Sequence, residues 1–186
     1  ACTRTSLASF LQVAEVTDHC TDILMITHAR EHYTRLSLPR LLETCDEQCR
    51  VWLWHNGDDR STLDFVRSHC NHPRVFAFHH SPENAKLLAP TNWTHANACG
   101  RFVSKVDDDC LVPDGWLRAP RKAHEDEPRL GAIGCWHFFP EDYLAEAAER
   151  KVCVFPSGHR VMRHPWIGGS GFLLKRECVQ RVGMLR

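Results

Sequence analysis

The stretch RFVSKVDDDCLVPDGWL, Arg101 to Leu117, decides the reading of this chain. Phe102, Val103 and Val106 give it strand character, and the strand ends abruptly in three consecutive carboxylates, Asp107, Asp108 and Asp109. Pro113, Asp114 and Gly115 follow as turn and helix-start residues, ahead of the apolar Trp116 and Leu117. Adjacent carboxylates repel one another, so a fold that gathers three at a strand end commonly holds a cation there. Hard divalent ions such as Mg²⁺ take carboxylate oxygens and share them with a substrate phosphate. An acidic surface loop is the alternative. Placement directly after a buried strand favours the cation, because ligands of open α/β sheets bind at the carboxyl ends of strands.

The totals bound the rest. A chain of 186 residues is one domain or slightly more, with an ordinary 43% apolar content and enough length for a substantial core. Its formal net charge of zero argues against a nucleic-acid binder that neutralises many phosphates. No apolar run reaches the length of a membrane span, and residues 1–21 lack the pattern of a signal peptide. The chain starts without Met and stops at Gly183-Met184-Leu185-Arg186, which leads us to expect a fragment of a longer protein. The ten cysteines are scattered without a CxxC pair, and the 13 histidines include the cluster His69-Cys70-His72. Neither this cluster nor Cys45/Cys49 has the paired spacing of structural zinc, so reduced thiols in a cytosolic protein are the simpler account.

Outward from the aspartates, strands alternate with helices. Ile23–Thr27 reads as a fully buried strand, His28-Ala29-Arg30 as its turn, and Glu31–Cys45 as a helix in which Pro39 must kink or start a second piece. Arg50–His55 is a second strand closed by Asn56-Gly57-Asp58-Asp59. Ser61 to Asp64 resembles a capping box opening a short helix to His69. Val75–Phe78 is a third strand, residues 79–90 a polar loop, and Thr91 the cap of a helix to Cys99 stopped by Gly100. Helix 115–124, strand Leu130–Trp136, helix 141–151 and strand Val152–Phe155 follow the aspartates. The chain closes on WIGGSGFLLKRECVQRV, a Gly-rich loop, strand and helix. This alternation predicts an α/β fold with a mostly parallel central sheet and right-handed crossovers.

Five pieces, ITHAR, WHNGDD, SPENAKLLAPTNW, KVDDDCLVP and GGSGFLLKRECVQRVG, resemble in order and spacing a family 2-like glycosyltransferase. The resemblance covers roughly residues 22–185 and implies a GT-A-type Rossmann-like sandwich, a single domain over 22–186 after an uncertain segment 1–21. It implies a nucleotide-diphosphate sugar donor, a UDP-sugar favoured and a GDP-sugar open, and a divalent metal, Mn²⁺ or Mg²⁺. Thr27 and Arg30 match first-strand positions lining the nucleotide pocket. Asn56 stands where the family usually has an aspartate that recognises the base; its amide oxygen can accept the N3–H of uracil, and Asp58 is the substitute, while a tight turn at Asn56-Gly57 is the plainer alternative. Asp107 and Asp109 fit the DXD positions, with Asp109 the direct metal ligand and Asp108 placed for the ribose or the metal. The metal would neutralise charge on the departing diphosphate. Lys86 and Lys105 are candidate phosphate contacts. Gly169 and Ser170 sit in a loop expected near the donor sugar and the acceptor. Trp136, His137 and Trp166 could stack on a sugar, or pack in the core.

Inverting transfer needs a general base for the acceptor hydroxyl. In the family this is an acidic residue beyond the Gly-rich unit, and Glu177, beside Lys175 and Arg176, does not fit. The base is therefore expected beyond Arg186, with Asp142 beside Glu141 as a fallback, although that pair reads better as a helix cap. The expected activity is transfer of a sugar to a carbohydrate, lipid or protein acceptor that the fold does not identify. The alternative is a non-catalytic nucleotide-sugar or carbohydrate binder, which the missing base favours. A dehalogenase-like phosphatase would need a different Asp loop early in the fold, and a sugar nucleotidyltransferase a Gly-rich basic loop in place of HAREH. The expected location is cytoplasmic, with peripheral attachment at the inner membrane left open.

Overall fold

The computed structural model describes residues 19–135, 141 and 143–186. Trp136, His137 and Asp142 lie outside the described residues, as does most of the segment 1–21. In chain order the elements are β1 (Thr21–Thr27), α1 (Glu31–Thr44), β2 (Cys49–Asn56), α2 (Arg60–Ser68), β3 (Val75–Ser81), α3 (Leu88–Asn97) and β4 (Phe102–Asp107). Then come α4 (Arg118–Asp126), β5 (Ala132–Gly134), α5 (Ala145–Glu149), β6 (Val152–Val154), β7 (Arg160–Met162), β8 (Phe172–Lys175) and α6 (Arg176–Val182).

A six-stranded sheet in the order β3-β2-β1-β4-β8-β5 is the frame. The first four neighbours pair in parallel, and β8 runs antiparallel to both β4 and β5. β6 and β7 form a separate antiparallel hairpin. The sheet is thus mostly parallel and flanked by helices, as the strand–helix alternation predicts. β7 has no counterpart in that prediction, because three residues are too few to show a period.

β1 is central because all seven of its residues are buried. Alternate side chains point to opposite faces of a strand. Ile23 and Met25 join a core with Leu38, Leu41 and Leu42 of α1, Val66 of α2, and Trp116 and Leu117. Leu24 and Ile26 join a second core with Trp52, Trp54 and Ala98, against which Trp93 of α3 and Val179 of α6 pack. Both faces are covered, the usual condition of a parallel sheet.

The ends and caps of the elements depart from the local sequence signals. Pro39 lies inside one continuous α1, held there by the burial of Leu38, Leu41 and Leu42. The cap of α2 is Asp59, whose carboxylate accepts from the Thr62 N–H at 2.9 Å, in place of Ser61. α3 begins at Leu88, ahead of Thr91, and the Thr91 hydroxyl donates back to the Leu87 carbonyl at 2.7 Å. β3 extends through His79 to Ser81 because β2 continues to Asn56 beside it. The first turn of α5 follows Leu144, so Glu141 does not cap it.

At the amino end of β1 the wholly buried Asp22 ties three segments together. Its Oδ1 accepts from Arg50 Nε at 2.8 Å and Trp52 Nε1 at 2.9 Å. Its Oδ2 accepts from Arg50 Nη2 at 3.0 Å and from the N–H groups of Cys99 at 3.1 Å and Gly100 at 2.7 Å. Gly100 is required here by close approach: a Cβ would lie 2.5 Å from the Cys20 carbonyl oxygen. Removing one partner of a buried ion pair leaves the other charge uncompensated. Asp22→Ala is expected to cost about 3–5 kcal/mol in urea unfolding; a cost under about 1 kcal/mol would contradict this role.

Burial also holds several histidines neutral. Burial, reinforced by His80, pulls His55 from 6.5 down to about 4, and burial likewise lowers His79, His95 and His124. An unfolded chain takes up these protons near 6.5 and the folded chain resists them, so stability is full above that pH and is lost as pH falls toward about 4. His55 contributes a slope of up to about 1.4 kcal/mol per pH unit within that window, and His79, His95 and His124 act in the same direction. The urea midpoint is expected to be lower at pH 5 than at pH 7, with His55→Gln reducing the difference.

Candidate functional site

The strand order places β1 between β2 and β4, so the crevice at their carboxyl ends is a topological switch point. Ile26 pairs with Asp107 across β1 and β4, which brings the turn His28-Ala29-Arg30 against the aspartates. A cleft of about 240 Å³ opens there, lined by Ile26, His28, Arg30, Asn56, Asn84, Lys86, Leu87, Asp107 and Asp108.

The three carboxylates are separated by environment. Asp107 pairs with Lys105 Nζ, two residues back on the same face of β4. Asp108 has a side chain only 1% exposed and accepts Arg30 Nη2 at 2.7 Å and the His28 N–H at 3.4 Å. Asp109, 40% exposed, accepts Arg30 Nη1 at 2.7 Å. Burial raises the Asp108 pKa, against the opposing pull of Arg30. For Arg30 burial opposes the charge, but Asp108 and Asp109 together raise its pKa. Ser37 of α1 donates to the Asp108 carbonyl at 2.6 Å, fixing the backbone of the triplet.

The Gly-rich unit reaches the same place. The Asp107 N–H donates to Ser170 Oγ at 2.9 Å, and the Gly171 N–H donates to the Lys105 carbonyl at 2.8 Å. The position of a Cβ on Gly169 meets nothing within 4 Å, so that backbone faces open space. Trp166 is exposed, with His164 edge-on against it at 4.5 Å.

Of the residues read from sequence, the fold gathers Arg30, Asn56, Lys86, Asp107, Asp108, Asp109 and Ser170. Thr27 is not in the cleft: its hydroxyl is buried against His55 Nδ1 at 2.9 Å. Strand parity is the reason, since Ile26 faces the cleft and its neighbour must face away. Asp58 is exposed, and its carboxylate lies 3.9 Å from His80 Nε2.

Asn56 lines the cleft, but its amide oxygen is not available for a uracil N–H. Oδ1 already accepts from Trp54 Nε1 at 2.8 Å and from the Ala85 N–H at 3.0 Å, which uses both lone pairs. Nδ2 donates to the Lys86 carbonyl at 3.0 Å. The side chain is a clasp for loop 84–87. Lys86 sits there at φ 55°, and Ala29, across the cleft, at φ 47°. Non-glycine residues in this region are strained and concentrate at ligand sites.

His28 and Asn84 were missed. The His28 ring shares a hydrogen bond of 2.8 Å with the Asn56 carbonyl, and a Cβ on Gly57 (φ 86°) would lie 3.1 Å from it. The position of His28, directly after a buried strand, was the available signal. Asn84 Oδ1 accepts from the Lys86 N–H at 2.9 Å, an Asx turn that polar sequence alone does not reveal.

As a metal site the donor set fits. One donor atom each of Asp107, Asp109 and Cys110 lies within 4.8 Å of the others, and two carboxylates suit Mn²⁺ or Mg²⁺.

The profile of glycosyl transferase family 2 matches residues 22–171, and the chain belongs to that family. Its fold is the GT-A fold of known structures. A mannosyltransferase from Pyrobaculum calidifontis in complex with GDP-Man and Mn²⁺ matches 96% of this chain and 52% of its own, at TM-score 0.70 and 18% identity. TarS 1-349 of S. aureus in complex with UDP matches 88% of this chain and 48% of its own, at TM-score 0.67 and 13% identity. The same protein in complex with UDP-GlcNAc matches at TM-score 0.64 and 12% identity. The chain thus spans about half the length of these solved chains. No curated protein sequence matches it.

The clasp gives a test independent of any ligand. Asn56→Ala leaves the Ala85 N–H, the Trp54 indole and the Lys86 carbonyl without partners, at about 1–3 kcal/mol for each group that stays buried. Hydrogen exchange at the Ala85 amide is expected to accelerate at least about tenfold, corresponding to about 1.4 kcal/mol. Unchanged exchange would mean that the loop does not depend on Asn56.

Proposed function

We propose that this chain is the donor-binding part of a metal-dependent, inverting glycosyltransferase that takes a sugar from a nucleotide diphosphate. The observation that carries the reading is the aspartate triplet at the sheet switch point, opening onto a polar cleft of about 240 Å³. Asp109 and Asp107 would hold the divalent ion, Mn²⁺ or Mg²⁺, and Arg30 would release Asp109 to it. When bound, the ion supplies charge neutralisation for the departing diphosphate. Arg30, freed from Asp109, and Lys86 carry positive charge toward the phosphates. Asp108, buried beside Arg30, orients that guanidinium and the His28 backbone. Ser170 holds the Gly-rich loop to the end of β4, so that Gly169 offers open backbone to the donor sugar or acceptor.

A UDP-sugar is the favoured donor and a GDP-sugar the second choice. The base would be read by the wall of His28, Asn84 and the backbone of loop 84–87, since the Asn56 amide oxygen is committed. The acceptor is a carbohydrate, lipid or protein. For the base that takes the proton of its hydroxyl, Asp142 is the fallback within this chain. The domain is read as one unit over 22–186, working in the cytoplasm or peripherally at the inner membrane. Among the described residues no helix is long and apolar enough to cross a membrane.

One observation favours a non-catalytic sugar-nucleotide binder as the second reading. Glu177, the carboxylate following the Gly-rich unit, is exposed on α6 and does not line the cleft. Turnover separates the two readings; nucleotide binding tests both.

Calorimetric titration of UDP and GDP, with and without Mn²⁺, is the first experiment. One nucleotide is expected to bind in a Mn²⁺-dependent manner, and Asp109→Ala to weaken it at least about tenfold, or about 1.4 kcal/mol. Folded protein that binds neither nucleotide under any condition would overturn the donor-site reading.

A further inference from the structure

The residue that clasps loop 84–87 also holds the opposite wall of the cleft. The His28 ring donates from Nδ1 to the Asn56 carbonyl at 2.8 Å, while the Asn56 side chain engages the Ala85 N–H and the Lys86 carbonyl. His28, on the turn after β1, and Asn84, at the start of the loop, are thus set by one anchor, and both line the cleft. That anchor ends β2, which lies two strand spacings from β4, or about 10 Å from the strand that carries the aspartates. The interval accommodates a ribose between a diphosphate at the aspartates and a base at this wall. Ile26 and Leu87 line the same cleft and supply apolar surface for the faces of a ring.

The hydrogen bonds fix which atoms donate and which accept. A carbonyl oxygen only accepts, so the proton of a neutral His28 sits on Nδ1 and Nε2 keeps a lone pair. At Asn84 the partner is a donor, and the amide is fixed the other way. Oδ1 accepts from the Lys86 N–H at 2.9 Å, so the outer group is Nδ2, which only donates. Both residues are exposed, so neither is walled off from a ligand. One wall therefore offers an acceptor and the other a donor.

We infer, on the reading of the cleft as a nucleotide-sugar donor site, that His28 and Asn84 are its base-specificity residues: His28 Nε2 accepts the ring N–H of the base, and Asn84 Nδ2 donates to the adjoining carbonyl oxygen. The ligand class is a nucleotide whose base presents N–H beside C=O. Uracil does so through N3–H and O4, and guanine through N1–H and O6. Cytosine and adenine present the reverse, a bare ring nitrogen beside an amino group. Against them acceptor meets acceptor at His28 and donor meets donor at Asn84, and each mismatch leaves polar groups unpaired. His28 supplies the acceptor that the Asn56 amide oxygen, committed to Trp54 and Ala85, does not.

Calorimetric titration of the chain with UDP, GDP, CDP and ADP, each with Mn²⁺, reads this edge. UDP is expected to bind at least about tenfold more tightly than CDP, and GDP than ADP. Whichever of UDP and GDP binds more tightly names the base. His28→Asn keeps a donor for the Asn56 carbonyl in the place of Nδ1 but has no acceptor in the place of Nε2, and is expected to lose most of both preferences. Asn84→Asp offers an acceptor where the amide donated, and is expected to shift the ratios toward CDP and ADP. A merely structural role would weaken all four nucleotides alike and leave the ratios unchanged. That result in both variants, or four nucleotides bound alike by the wild type, would overturn the assignment while the donor-site reading stands. Folded protein that binds none of the four would overturn both.

Discussion

Three carboxylates on consecutive residues cannot share one environment without strong repulsion, and the structure around them is arranged to divide them. Asp107 turns to Lys105 on its own strand, while Arg30 reaches from the turn after β1 to grip Asp108 and Asp109. That grip requires β1 and β4 to be neighbours in parallel register, because Arg30 and Asp109 lie 79 positions apart in the chain. A sheet in which these strands were separated would leave Asp108 buried with its charge unanswered. The position of the site and the order of the sheet are in this sense one constraint.

The cleft walls depend on a second, neutral set of contacts. Asn56 clasps loop 84–87 through its own amide, and Ser170 fastens the Gly-rich unit to β4. Each brings a segment distant in sequence to the end of a strand, and each sets side-chain hydrogen bonds against backbone that has no regular partner. The positive φ of Ala29 and Lys86 marks where the chain bends sharply to form these walls. Such strain persists only where the surroundings over-determine the backbone, and here the buried strand ends supply that rigidity.

The elements were legible where burial imposes a period. The apolar run of β1 and the helical stripe of α1 both stand close to where the sequence put them. Local signals did worse: Asp59, not Ser61, caps α2, because the cap is whichever side chain reaches the first free N–H groups. Thr27 faces away from the cleft, as its parity with Ile26, one residue away, requires. Asn56 lines the cleft, but its amide is taken up by Trp54, Ala85 and Lys86, the last two in a loop whose path no periodicity describes.

By itself the sequence determined the parallel α/β frame, the strand that ends in Asp107 and the Gly-rich unit, since these follow from apolar periodicity, turn residues and charge. The tertiary structure decided which charges meet. Arg30 against Asp108 and Asp109, Asp22 against Arg50, and Arg121 against Cys49 are each contacts between residues far apart in the chain. Their energies depend on burial and distance, quantities that exist only after the sheet has assembled.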